Sequence, residues 1–505
     1  MKQKAWVNQY CKQFDTFNDD LILKVRKKDK IETYLDEMWS EIARHVPENI
    51  EYLGYHYDDS GRRFRELNAG KDKTHSGKKN MSIYDTAARL CVFEFKLTNL
   101  NQQTGKVETI YVETPIYIPL YVDDYHFLIA GSKYSAPYQI TDAITYTNKS
   151  NMIVLKTKTR AIKMTREKKN NPIVDIHGNR FNSCYIYYLY MTSKKTPFLL
   201  YYFAYFGFMN TFRFFGADRY CKFYTECPIE ADPNNFWFKF GTIYIAVDKK
   251  AFGDYYNLRM FIFTVLECQK RNMDQDAIEN TTRWKIILGA AISESSALEK
   301  GEGLVRTLRI SLDPRTKDNI EKLVGGGKKD NMWSVVRWMF LSFVTLSSKT
   351  NSLLNKRIRI SEWIVDPLLR ERYDKLYRFL GTPEKSRDMN RLADVVKCPE
   401  GFILGAICGK NRRGLTLDIA KWDSGVNDNA ICKDGLRYVT GGPGTAASVS
   451  GSGSRTGSSY RVFGITYVGR LDIYTSSNSD PGTSGLISPF AKVKLDTLTF
   501  EKEVI

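Results

Sequence analysis

The sequence predicts an α+β, multidomain protein, and three observations predict it. The chain has 505 residues, 43% hydrophobic and 26% charged, which is ordinary globular composition. At about 150 residues per domain, that length gives about three domains, with two or four also open. Apolar residues recur at helical spacing in some segments and alternate at strand spacing in others, and the two kinds are grouped along the chain rather than regularly interleaved. Disorder, collagen and a disulfide miniprotein are excluded.

Residues 1–50 read as helical, with apolar positions three to four apart through YLDEMWSEIARHV and a stop before Pro47. From Ala87 to Leu128 the pattern is that of strands. RLCVFEFKLTN alternates, and GKVETIYVETPIYIPLYVDDYHFLIAG is β-branched and aromatic, broken by Pro and Asp. His126, inside YHFLIAG, reads as a strand residue with its ring hydrogen-bonded rather than as a metal ligand or base. Residues 180–265 are an aromatic mixture without a clear period. Helical periodicity returns in MDQDAIENTTRWKIILGAAI, in KDNMWSVVRWMFLSFVTLSSK and in ISEWIVDPLLRERYDKLYRFLG, the last running through Pro367. After Cys398 the chain turns to Gly-rich strands and loops. Between Gly441 and Ser459, twelve of nineteen residues are Gly or Ser, a composition that predicts a flexible loop.

The start, MKQKAWVNQYCKQFDTFNDD, lacks the apolar run and small-residue cleavage site of a signal peptide. The most apolar stretch, PFLLYYFAYFGFMNTFRFF from Pro197, is too short and too aromatic for a membrane span, which needs about 20 apolar residues. A soluble protein is expected. The nine cysteines (Cys11, Cys91, Cys184, Cys221, Cys227, Cys268, Cys398, Cys408, Cys432) are odd in number, scattered and without a CxxC, the pattern of reduced intracellular thiols. Cys221 and Cys227 lack zinc-ligand spacing and a neighbouring His, so no structural zinc is expected.

The formal charge of +18 is unevenly spread, as an electrostatic footprint requires. LKTKTRAIKMTREKKN (residues 155–170) carries seven Lys/Arg against one Glu. LKVRKKDK (23–30) carries five against one Asp, and GKDKTHSGKK (70–79) four against one Asp. Any one such run is commonly a solvated face. Three on a basic chain point to a polyanion, and an intracellular setting favours nucleic acid over an acidic membrane. The usual catalytic signatures fail. GKDKTHSGKK has the wrong spacing for a phosphate loop and no strand before it, and GGGKK (325–329) follows a helical pattern. No DxDGD-like carboxylate cluster, GxSxG or HExxH occurs.

Three segments, in order, resemble the N-terminal half of the β subunit of multisubunit RNA polymerases. IYIPLYVDDYHFLIAGSKYSAPYQI (Ile116 to Ile140) is similar to a strand pattern of Ile-Pro-Leu-Met, a turn, Thr-Phe-Ile-Ile-Asn-Gly-Thr-Glu-Arg and then Ser-Gln. Pro119, Leu120, Phe127, Ile129, Gly131 and Gln139 match, whereas Lys133 and Tyr134 replace Glu-Arg. LLNKRIRISEWIVDPLL (Leu353 to Leu369) resembles the Gly-Asn-Lys/Arg-Arg-Val-Arg run that returns the chain from the lobe to the protrusion. The Gly is absent, while Asn355, Lys356, Arg357 and Arg359 are present. GLRYVTGGPGT (Gly435 to Thr445) and YVGRLDIYTSSNSDPGTSGLISPFAKV resemble the fork region. Arg437, Gly442, Pro443, Gly444, Gly469, Arg470, Gly485, Leu486 and Ile487 match, and Asp480 stands where the family has Glu. Each motif alone could arise in a plain strand and turn; their order and separation carry the resemblance.

The resemblance implies a protrusion formed by residues 1–155 and a return segment at 355–395, a lobe at 156–354, and a fork at 396–505 with its loop at 441–459. It ends at Ile505, so the chain is expected to be the N-terminal piece of a split β subunit like those of giant bacteriophages, an expression truncation being the alternative. Such a chain walls the cleft that holds melted DNA and the RNA:DNA hybrid, with cations placed on phosphates without reading sequence. Arg437, Lys421, Arg412 and Arg413 are the candidates near the hybrid, their alternative being surface pairing with Asp423 or Asp434. Arg455, isolated in the Gly/Ser loop, is placed toward the downstream fork. Asp480 and Thr483 align close to the RNA, although Asp480 equally suits a cap on the Pro-Gly turn. Arg357 and Arg359 are expected to pack the domain junction.

No cofactor is expected in this chain, the catalytic Mg2+ lying on a partner β′-like chain. The partners implied are a C-terminal β-like chain, β′-like chains, a promoter-specificity subunit, and template DNA and RNA, in the cytoplasm of an infected bacterium, with virion packaging left open. Deleting residues 446–457 is expected to impair open-complex stability or elongation of the assembled enzyme and to leave assembly intact; unchanged transcription would contradict the loop's role as a barrier at the bubble edge. The competing reading is a non-enzymatic basic DNA-binding or packaging protein.

Overall fold

In the computed structural model, the described residues are 30–58, 86–100, 105–121, 126–129, 132–135, 138–149, 151–157, 160–191, 194–226, 232–269, 278–324, 329–347, 352–359, 361–381, 387–407, 438–441, 465–471, 484–488, 491–494 and 496–504. The chain is α+β and forms two compact units. The first comprises Met1–Ile144, Asp313–Val324 and Thr350–Ile505; the second comprises Thr145–Leu312 and Gly325–Lys349.

The first unit starts with helix α1 (Ile31–His45), where the sequence predicts a helix. Ile31, Tyr34, Leu35, Met38, Trp39 and Ile42 recur at helical spacing and are all buried. Pro47 disfavours the helical conformation at Val46, which sits at φ −138° and ends the helix. The helix packs on an antiparallel sheet of β1 (Ile50–Tyr57), β2 (Ala88–Leu100) and β3 (Val107–Pro119), in that order. β2 and β3 pair without a break from Ala88↔Pro119 to Leu100↔Val107. Trp39 meets Phe95 edge-on at 5.1 Å and Tyr52 donates its hydroxyl to Asp36 at 2.7 Å, tying helix to sheet. Gly54, at φ +111°, takes up the register shift of β1 against β2. The hairpin β4 (His126–Ile129) and β5 (Ser132–Ser135) follows, then β6 (Tyr138–Asp142).

The second unit opens with β7 (Thr145–Lys149), β8 (Met152–Lys156) and β9 (Ala161–Lys168). A separate two-stranded pair, β10 (Ile173–Val174) and β11 (Arg180–Phe181), precedes β12 (Tyr185–Tyr190) and β13 (Thr196–Pro197), and a five-stranded sheet runs β13-β12-β9-β8-β7. The apolar stretch after Pro197 becomes two eight-residue helices, α2 (Leu199–Phe206) and α3 (Phe208–Phe215), parted by Gly207 at φ +84°. Among the described residues no helix is long and apolar enough to cross a membrane. Next come β14 (Cys221–Tyr224), β15 (Asn235–Phe240) and β16 (Ile243–Asp248), with β16 in the middle of a three-stranded sheet. Helix α4 (Lys249–Asp254), capped by the Asp248 carboxylate on the Ala251 N–H, leads into α5 (Tyr256–Glu267). Asn280 caps α6 (Thr281–Ala290), which packs on α7 (Ala297–Arg309).

Helix α8 (Pro314–Val324) belongs to the first unit and starts with Asp313, whose carboxylate accepts from the Thr316 N–H and hydroxyl, followed by Pro at the first helical position. Arg315 of α8 pairs with Glu37 of α1 at 2.7 Å while its guanidinium lies 4.1 Å from the Tyr34 ring centre. The second unit then closes with α9 (Met332–Leu341) and α10 (Phe343–Ser347). Its core is aromatic: the Tyr202 hydroxyl reaches the Trp333 carbonyl at 2.6 Å amid Phe198, Phe206, Phe214 and Phe215.

The chain returns to the first unit through β17 (Lys356–Arg359), α11 (Ser361–Gly381), α12 (Met389–Val396) and α13 (Phe402–Ile407). Helix α11 runs through Pro367, which cannot donate to the Trp363 carbonyl, so this predicted helix forms with one bond missing. Arg372, 0% exposed, donates to the Asp394 and Lys397 carbonyls at the end of α12 and fixes that helix against α11. Helix α13 departs from the strands and loops predicted after Cys398. Its FILGAI run is apolar on every side and packs on β3 and α11, and such short buried runs do not reveal their period. Four short strands complete the unit: β18 (Tyr438–Gly441), β19 (Ser484–Leu486), β20 (Ala491–Lys494) and β21 (Thr499–Val504).

The described cysteines Cys91, Cys184, Cys221, Cys268 and Cys398 are all free. Burial pushes the Cys91 and Cys221 thiols up to about 12, which leaves almost no thiolate near neutrality. Iodoacetamide at about pH 8 is therefore expected to leave both unlabelled in the native chain and to label both after denaturation, as read by peptide mass spectrometry. Native-state labelling as fast as that of the denatured chain would contradict their burial.

Candidate nucleic-acid interface

Three stretches that are far apart in sequence meet in one six-stranded sheet of the first unit, in the order β19-β18-β6-β17-β21-β20. They are the three stretches on which the polymerase resemblance rests. β6 pairs antiparallel with β17 from Lys356↔Asp142 to Arg359↔Gln139. On its other side β6 pairs parallel with β18, through Val439↔Tyr138, Thr440↔Gln139 and Gly441↔Ile140. β18 in turn pairs with β19 through Tyr438↔Leu486, Val439↔Gly485 and Thr440↔Ser484. A parallel pair needs a long connection between its strands, and here nearly three hundred residues of chain intervene between β6 and β18.

The arginines of β17 hold this sheet onto α11. Arg357 grips Glu362 with both terminal nitrogens, at 2.7 and 2.5 Å, and both side chains are buried. Arg359 donates through Nε to Gln139 Oε1 at 2.6 Å and through Nη1 to Asp366 at 2.7 Å. Both guanidinium groups thus face acids of the first turns of α11, and Arg359 also reaches across to β6. These contacts all lie within the first unit. Sequence reasoning missed the arginines' partners Glu362 and Asp366. The available signal was the acidic spacing directly after RIRIS, at a helix start where carboxylates are favoured.

A third guanidinium closes the other side. Arg470, 4% exposed, gives Nε and Nη2 to the Glu501 carbonyl of β21 and Nη1 to the Thr466 carbonyl. The Ser488 N–H bonds the Arg470 carbonyl at 2.8 Å, and Leu471 bridges to Ile487 just beyond β19. Gly469, at φ +71°, makes the turn that delivers Arg470 to this position. Two buried arginine clamps therefore fix the strands next to the fork-like segments.

The sequence-derived candidates Arg412, Arg413, Lys421, Arg437, Arg455, Asp480 and Thr483 all lie outside the described residues, as do the alternative partners Asp423 and Asp434 and most of the Gly/Ser segment. Arg437 directly precedes β18 and Thr483 directly precedes β19 in the chain. Among the described residues, no group of three or more His, Cys, Asp or Glu side chains is placed to hold a metal ion.

No curated protein sequence matches the chain. A protein-family model described as non-virion RNA polymerase subunit matches residues 3–501, nearly the whole chain. A match of that extent, on a chain whose polymerase-like segments share one sheet, makes this a viral multisubunit RNA polymerase component working with companion polymerase subunits. The chain belongs to the non-virion RNA polymerase subunit family.

Proposed function

We propose that the chain is the N-terminal part of a β-like polymerase subunit and walls the cleft around melted DNA and the RNA:DNA hybrid. The observation that carries this reading is the convergence of the three β-like stretches on one sheet, where β6 pairs with both β17 and β18 and the Arg359–Gln139 hydrogen bond ties the first stretch to the second. The division into two compact units, the second inserted between residues 144 and 350 of the first apart from Asp313–Val324, supports a protrusion interrupted by a lobe. Residues 396–505 take the place of the fork, and Arg412, Arg413, Lys421, Arg437, Arg455, Asp480 and Thr483 are the groups assigned to nucleic acid. The companions are a C-terminal β-like chain and β′-like chains, one of which carries the catalytic Mg2+; a promoter-specificity subunit completes initiation.

Affinity purification from infected cells tests this reading. The chain is expected to bring down a second β-like chain and a β′-like chain in stoichiometric amounts. Alone it should bind nucleic acid in a strongly salt-dependent manner and extend no RNA. Extension of RNA by the isolated chain would overturn the proposal.

The resemblance also sets a drug response. A Ser, a His and a Pro that help form the family's rifamycin pocket align here with Val439, approximately Asp434, and Ser479. Loss of those hydrogen bonds and that shape removes tight binding. The assembled enzyme is expected to transcribe unchanged at micromolar rifampicin, and inhibition in a run-off assay at that concentration would contradict the alignment.

A further inference from the structure

The sheet of β14, β16 and β15 in the second unit has two unlike faces. One is apolar and packed: Cys221, Ile245, Phe238, Val247 and Phe240 are buried, and Phe223 meets Phe212 edge-on at 4.9 Å. The other carries Lys222 and Tyr224 on β14, Tyr244 on β16 and Lys239 on β15, by the alternation of side chains along each strand. Tyr224 pairs directly with Tyr244, and Tyr244 directly with Lys239, so the three form one row across the sheet at spacings of about 5 Å. The adjacent row is Lys222, Ala246 and Trp237. Ala246 is small enough for the Tyr224 ring to rest against Trp237 at 5.1 Å, which holds one tyrosine in place while 38% of that residue stays exposed. Both lysines are exposed, and among the described residues neither has an ion-pair partner. Asp248, at the end of β16 on this same face, accepts from the Ala251 N–H; of the acids at its border, Asp232 accepts from the Asn234 N–H and the Asn235 amide, and Glu226 lies beyond the end of β14.

We infer that this face is a second nucleic-acid contact, in which unpaired bases stack on Tyr224 and Tyr244 while Lys222 and Lys239 take the flanking phosphates. Aromatic rings bracketed by unpaired cations on a sheet are what single strands require, because every base has a face to stack and every linkage a charge. A duplex offers no free base to the rings. The choice of nucleic acid as occupant rests on membership of a polymerase family and on charge complementarity, and it uses none of the residues assigned to the fork.

The test uses the full chain with fluorescent oligo(dT) and oligo(U). Tyr224→Ala with Tyr244→Ala is expected to weaken binding at least about tenfold. Tyr224→Phe with Tyr244→Phe, which keeps the rings, should bind as the wild type does. Lys222→Ala with Lys239→Ala should lower the slope of log affinity against log salt by about 1.4. Photocrosslinking with 5-bromouracil oligonucleotides should label the peptides bearing Tyr224 or Tyr244, which separates this face from the other basic surfaces. The two oligonucleotides report whether DNA, RNA or both are held. Wild-type affinity and salt slope in both alanine pairs would overturn the inference. So would unchanged binding combined with loss of co-purifying subunits, which would make the face a protein interface. A chain that still assembles with its companions but ignores these substitutions sinks this inference alone; a chain that joins no polymerase sinks the proposed function.

Discussion

Gly289→Ala, and separately Gly301→Ala, is expected to unfold the second unit at temperatures where the wild type is intact. Helices α6 and α7 pack so closely that these glycines face the backbone of the opposite helix. A methyl carbon at position 289 would lie 1.7 Å from the Ala297 carbonyl oxygen, and one at 301 would lie 1.8 Å from that of Lys285. Backbone on both sides cannot rotate away as a side chain does, so the helices must separate, and with them the α2 surface on which both pack. Alanine raises helix propensity by about 1 kcal/mol over glycine, whereas overpacking of this kind costs about 3 kcal/mol or more, so the clash decides the sign. Gly303→Ala on the same helix supplies the control. Nothing lies within 4 Å of the added carbon there, and a gain of about 0.5–1 kcal/mol is expected. Calorimetry with limited proteolysis reads both outcomes. Equal melting of the 289, 301 and 303 variants would show that the helices do not cross in this way.

Arg357→Leu is expected to destabilise the first unit by about 3–5 kcal/mol and to abolish transcription by the assembled enzyme, although Arg357 touches no nucleic acid in the proposed function. The substitution leaves Glu362, 4% exposed, without its two-pronged partner, while Arg359 lies 4.0 Å away. The cost is that of a buried carboxylate that has lost its bidentate partner rather than the net worth of the pair. The double substitution Arg357→Met with Glu362→Leu should therefore recover most of the lost stability. Urea unfolding followed by a spectroscopic probe of the first unit gives the ranking. A single variant no less stable than the double would contradict the buried pair.

The parts of this architecture that were legible in the sequence are those with a polar side to set against an apolar one. α1 and α11 show helical spacing because Asp, Glu, Lys and Arg interrupt the apolar residues, and β2 shows alternation for the same reason. LLYYFAYF does not, since a segment buried on nearly all sides has no period to read, and NFWFKF carries aromatic residues on both faces, Trp237 beside Lys239, which hides its alternation; the two eight-residue helices and the Lys–Tyr face lay hidden in that mixture. The six-stranded sheet was hidden for another reason. Its strands are three to six residues long and come from distant parts of the chain, so no local pattern sets their order. Resemblance located the segments one by one, and only the structure joins Gln139 to Arg359 and Arg470 to Glu501. Lys222 and Tyr224 alternate along β14, but the register that sets Tyr224 beside Tyr244 and Lys239 does not exist until the strands pair.

The most direct test of the β-like assignment is a crosslink from the transcript. The complete polymerase is halted on a template with 4-thiouridine placed near the RNA 3′ end, irradiated, and the labelled peptides are identified by mass spectrometry. Label on this chain between residues 412 and 487 is the predicted result. Label confined to the companion subunits, with this chain present in stoichiometric amount, would contradict it.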